Sequence, residues 1–168
     1  MTRPPAHSYA PFYAAYLDAV GDGDVLALLE AQPEAWRRLL RGADGSHAYA
    51  PGKWTVGEVV QHVVDTERVF AYRALRFARG DEAPLPGFDQ DAWVPAAPAQ
   101  PLDQALDEMA AVRTATLALV RSLPDEALDR AGAASGHAMT ARAAVWVIAG
   151  HTQHHGRILR ERYGLDPA

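Results

Sequence analysis

Apolar residues return every three or four positions through most of this chain, and alternating runs of β-branched residues are nearly absent. Such a pattern puts one apolar stripe on each of several helices, so the expected class is all-α. Four long segments carry it. The first covers about residues 24–41, with Val25, Leu28, Leu29, Trp36, Leu39 and Leu40 on its apolar face, after a shorter helical piece at about residues 12–20. Pro33 lies inside it and is expected to kink or restart the helix, because proline lacks the amide donor and crowds the preceding turn. The second begins at WTVGEVVQHVV, where Thr55 and Glu58 form a capping box flanked by Trp54 and Val59 as a hydrophobic staple; it runs to about Arg79 and stops at Gly80. The third starts at Pro101 and ends before Pro124. After a short helical piece, PDEALDR, and the glycine-rich AGAASG, the fourth starts at Thr140, reaches Tyr163 and stops at Gly164.

Between the second and third helices lies DEAPLPGFDQDAWVPAAPAQ, residues 81–100, with four prolines. So long a connection is expected to be a crossover loop, and Phe88 and Trp93 favour one packed in order across the bundle. The architecture is then a four-helix bundle with a long crossover loop between helices 2 and 3, a single domain over residues 1–168 with its core at about 12–163. A length of 168 residues, 49% of them hydrophobic, is enough for one sizeable core.

Charge and composition remove several functions. A net charge of -5 with no basic stretch argues against a nucleic-acid partner. With no cysteine there is no disulfide, no thiolate zinc site and no thiol nucleophile on the protein, so a metal would have to be held by His, Asp or Glu. No segment has the apolar length of a membrane span or a secretory h-region, and the expectation is a soluble cytoplasmic protein.

The stretch GHTQHHGRIL packs three of the seven histidines into five residues, directly after the apolar run AAVWVIA. At about 100° per residue, with Ala144 at zero, His151 falls near 340° and His155 near 20°, mid-stripe, while His154 falls near 280°, on its edge. Two imidazoles one turn apart on a core face are either hydrogen-bonded core residues or a pair of metal ligands, H-x-x-x-H being the helical spacing at which two rings reach one ion. A third ligand has to come from another helix, and His62, on the border of the second helix's stripe, is the candidate. Asp65, three residues on, is a candidate to orient the His62 ring, and His154 has a supporting or surface role. Glu58 is accounted for by the capping box, while Asp65 and Glu67 have the simpler reading of same-helix pairs with Arg68 or neighbours. Without the glutamate of H-E-x-x-H, a zinc-protease reading has no evident general base.

YAPGKWTVGEVVQHVVDTERVFAYRALRFARGD, PLPGFDQDAWV and AGHTQHHGRILRERYG together resemble the DinB-like superfamily, which includes the YfiT-type proteins, over about residues 12–163. The resemblance implies a four-helix bundle, often a homodimer, with a divalent metal, zinc or nickel foremost, held by three histidines that correspond to His62, His151 and His155. Close relatives often carry an acidic residue where this chain has Thr152. Three neutral imidazoles leave an open position at which water or a thiol is acidified. The resemblance implies the thiol branch: a stress or detoxification transferase that conjugates a low-molecular-weight thiol, such as bacillithiol, to a small-molecule electrophile. A non-catalytic metal-binding bundle and a metal-dependent hydrolase are the alternatives.

Overall fold

The structure is a computed structural model that describes residues 1–166; the last two positions of the expected domain lie outside the described residues. Two short 3-10 turns, Ala6–Ser8 and Pro11–Tyr13, lead into α1 (Ala14–Val20). The principal helices are α2 (Val25–Leu39), α3 (Val56–Ala78), α5 (Leu102–Arg121) and α7 (Ala141–Tyr163). Shorter pieces intervene, α4 (Gln90–Ala96) and α6 (Asp125–Leu128), with an antiparallel hairpin of β1 (Ala131–Ala134) and β2 (His137–Thr140). No helix among the described residues is long and apolar enough to cross a membrane.

Local chemistry sets the helix ends. At α3 the Thr55 hydroxyl accepts from the Glu58 amide at 3.2 Å, and the Glu58 carboxylate accepts from the Thr55 amide at 2.7 Å, which closes the expected capping box. Thr140 caps α7 through the Ala143 amide, and Gly164 ends it in the left-handed region. Both α2 and α3 pack on α5 and α7, so α2 faces α3 across the bundle diagonal.

Pro33 and the long connection both depart from expectation. Pro33 neither breaks nor restarts α2, which is continuous from Val25 to Leu39. The carbonyl that a residue-33 amide would have bonded is that of Leu29, four residues back, and Nη1 of Arg113 donates to it at 2.7 Å. The connection after α3 is also more than a loop. Leu85 pairs with β1, its amide donating to the Ala133 carbonyl and its carbonyl accepting from the Ser135 amide, and Asp89 caps α4 through the Asp91 and Ala92 amides.

The interior is two apolar cores with a polar layer between them. One core gathers α1, the start of α2, the ends of α3 and α5, the hairpin and the first half of α7; the other gathers the end of α2, the starts of α3 and α5, and the end of α7. Each principal helix contributes buried polar residues where the cores meet: Gln32, then His62, Thr66 and Glu67, then Arg113 and Thr116, then His151, Thr152 and His155. Arg113 is the hub of this layer. It donates to both carboxylate oxygens of Glu67 at 2.8 and 2.9 Å, to Gln32 Oε1 at 2.8 Å and to Thr152 Oγ1 at 3.3 Å, so its guanidinium touches all three other principal helices. Glu67 is therefore an interhelix partner rather than a same-helix one.

Gly150 brings α1 against α7. A Cβ there would lie 1.9 Å from the Tyr16 carbonyl oxygen, a backbone atom that cannot swing away. That close approach seats the Tyr16 ring 5.3 Å from His151 and 5.4 Å from His154, centroid to centroid.

Candidate metal centre

His62 on α3 and His151 and His155 on α7 converge. The Nε2 atoms of His62 and His151 are 3.0 Å apart, those of His155 and His151 are 3.1 Å apart, and one ring nitrogen from each of the three lies within 4.8 Å of the others. The three residues are only 7%, 5% and 9% exposed. Trp54, the residue before the α3 cap, packs tilted against the His62 ring at 4.9 Å between centroids, and its carbonyl accepts from the Tyr163 hydroxyl, which ties it to the end of α7.

Burial keeps the imidazoles neutral. It pushes His62 down to about 4, with the Asp91 carboxylate opposing the shift. His155 goes down to about 3 and His151 falls well below its ordinary value, burial again leading and neighbouring imidazoles adding to it. His154 is lowered as well, by burial and then by Arg157.

The donor set fits a divalent transition ion. Each Nε2 has one in-plane position, a proton or a lone pair, so His151 Nε2 can satisfy one of its two imidazole neighbours and leaves the other contact unmatched. A cation among three lone pairs would satisfy all of them, and a tetrahedral shell with N ligands at ~2.0–2.1 Å sets them about 3.3 Å apart. With its Nε2 turned to an ion, His155 must carry its proton on Nδ1, which is buried and has no hydrogen-bond partner among the described residues. Thus no protein acceptor fixes that tautomer, and the ion itself would select it.

The other expected site residues lie elsewhere. Asp65 accepts from Gln61 Nε2 at 3.1 Å and from Arg68 at 3.3 Å on the outer side of α3, rather than from the His62 ring. His154 reaches the cavity above the triad, its ring 5.1 Å from that of His155. Thr152 turns inward, donating to the Ile148 carbonyl and accepting from Arg113.

The triad opens into a cavity of about 520 Å³. Phe12, Tyr13 and Tyr16 from the N-terminal segment wall it, with Trp54, Phe70, Phe88, Arg73 and Ser135, and no carboxylate among the described residues lines it. The long connection that supplies Phe88 is the part of this wall that the sequence led one to expect at the pocket; the other wall residues carry no such signal in the sequence.

The depressed histidines make acid instability an expected property of the metal-free protein. Their folded pKa values lie below that of an exposed histidine, so between about pH 4 and 6.5 the unfolded chain binds more protons than the folded one. This contribution to stability is complete above pH 6.5 and is lost as pH falls, at about 1.4 kcal/mol per pH unit for each histidine. Thermal melts after chelation should show Tm dropping steeply from pH 6.5 to 4.5. A flat profile there would contradict the buried neutral triad.

Comparisons with known proteins bear on the family and the fold. A candidate metal-dependent hydrolase of Oceanobacillus iheyensis is 26% identical over 113 residues, 66% of this chain; the chain spans 65% of that relative's length. YfiT of Bacillus subtilis, described as a candidate metal-dependent hydrolase with an unusual four-helix-bundle topology, superposes with a TM-score of 0.69 over 98% of this chain and 95% of its own. At 19% identity that likeness is one of fold. The sequence profile of the DinB superfamily matches residues 27–159, which takes in all three histidines, and the chain belongs to that superfamily.

Proposed function

We propose that the protein is a divalent-metal-dependent transferase that joins a low-molecular-weight thiol to a small electrophile bound in the aromatic cavity, in stress protection or detoxification. The observation that carries this reading is the convergence of three neutral imidazoles on the floor of a cavity lined by no carboxylate. A bound zinc or nickel ion would act there as a Lewis acid that favours the ionised form of a thiol or of water. A thiol, whose pKa lies closer to neutral pH than that of water, needs the least help from a protein base, and no carboxylate among the described residues lines this cavity. The aromatic wall from Phe12 to Phe88 would hold an apolar electrophile and exclude water around it.

Hydrolysis is the second reading. The names of the two relatives favour it, and so does His154, a neutral imidazole at the cavity that would take a proton from water. One experiment separates the readings. Protein loaded with zinc or nickel is given bacillithiol, mycothiol or glutathione with monochlorobimane, and in parallel p-nitrophenyl esters without thiol. Conjugation that disappears on chelation is the expected result. Ester cleavage without conjugation would replace the transferase by a hydrolase, and inactivity in both arms would leave a metal-binding bundle. Homodimerisation, implied by the family resemblance, belongs to the same proposal, and sedimentation of the loaded protein would test it.

A further inference from the structure

Arg73, on α3, lines the same cavity and is only 1% exposed, yet no carboxylate pairs with it among the described residues. Its hydrogen bonds both come from Nη2, to Ser135 Oγ at 2.9 Å and to the Pro86 carbonyl at 3.2 Å. Its charge also rests on two aromatic faces, Phe70 at 4.8 Å and Phe88 at 5.9 Å. The contrast with Arg113 is direct: that equally buried guanidinium is met by both oxygens of Glu67. Burying a cation without an anion is unfavourable, and an anion arriving from outside would offset that cost.

A second group points the same way. Thr66 is 2% exposed and lines the cavity, and its Oγ1 has no hydrogen-bond partner, not even the carbonyl four residues back that a helical threonine commonly takes. His62, Thr66, Phe70 and Arg73 succeed one another at helical spacing along one face of α3, so the cavity runs from the triad past an unpartnered hydroxyl to a cation that no carboxylate among the described residues meets. Ser135, which accepts from Arg73, is held at φ 54°, a left-handed conformation in the tight turn between β1 and β2. A non-glycine residue there costs conformational free energy, and its hydroxyl is what reaches Arg73.

We infer that the cavity accepts a small amphiphilic carboxylate, its apolar body against the aromatic wall and its acid group on the guanidinium of Arg73, with Thr66 donating to the ligand between Arg73 and the triad. This rests on the reading of the cavity as the substrate site and makes Arg73 its specificity-determining residue. Arginine suits the task because its planar fork meets both oxygens of a carboxylate.

Equilibrium binding of 3-phenylpropionate and of the neutral 3-phenylpropan-1-ol, by titration calorimetry on metal-loaded and chelated protein, tests this without turnover; loss of transferase and hydrolase activity alike would leave it standing. The acid should bind about tenfold or more tightly than the alcohol in both metal states, the span expected for a hydrogen-bonded charge. Arg73→Gln should remove the preference while retaining the metal stoichiometry of wild type. Equal affinity for acid and alcohol in wild type would overturn the proposal, whatever the variant does. So would a preference that vanishes on chelation or survives Arg73→Gln, since the acid would then sit on the metal or elsewhere. Tighter binding of 3-phenylpropylphosphonate than of the carboxylate would overturn the choice of anion.

Discussion

His151→Ala is expected to abolish stoichiometric metal binding, with a fall in affinity of at least about a hundredfold, because it takes away the central member of the triad rather than a peripheral one. The substitution also removes the most deeply buried of the three imidazoles, so the metal-free variant should lose less stability than metal-free wild type as pH falls from 6.5 to 4.5. His154→Ala is the control. It should keep full occupancy by elemental analysis, because its ring is set beside the triad and not in it. The reverse result, with occupancy lost at 154 and kept at 151, would refute the assignment.

Arg113→Met is expected to have the largest effect on the fold itself. It would leave the Glu67 carboxylate buried without a partner, free the Leu29 carbonyl opposite Pro33, and strip Gln32 Oε1 of its donor. Removing one partner of a buried ion pair costs about 3–5 kcal/mol, which is a large part of the stability of a domain this size. Denaturant midpoints would measure it. The double variant Arg113→Met with Glu67→Leu should recover part of the loss, since it removes both charges, whereas Glu67→Leu alone should not. Additivity between the two substitutions would show that the pair is not coupled.

These contrasts explain what the sequence could reveal. The start of α3 was legible because a capping box is a local contract between Thr55 and Glu58. The inward pair on α7 was legible because a helical wheel sorts His151 and His155 from His154 without any knowledge of what lies opposite. Pro33 was misleading for the converse reason: the donor that rescues its helix sits on α5, 80 positions away in the chain. The hairpin was hidden in a glycine-rich stretch whose Ser-Gly pair is a turn signal but whose flanking strands, four residues each, are too short to show alternation. Arg73 was invisible in principle, because its significance lies in a missing partner, and absence of a partner is a tertiary fact.

The two parts of the cavity also differ in how they are anchored. The metal ligands ride on α3 and α7, whose positions are pinned by the polar layer, by both apolar cores and by the close approach at Gly150. Phe12, Phe88 and Ser135 come instead from a 3-10 turn, a connection and a hairpin tip, segments that can be lengthened or rewritten without moving a principal helix. The grip on the metal and the shape of the outer aromatic wall are therefore separable here in the way that a chuck is separable from its bit. One grip can serve many ligands, and grafting the three short segments between such bundles should change which apolar bodies the cavity accepts, while leaving the metal ligands and the Arg73 anchor on α3 as they were.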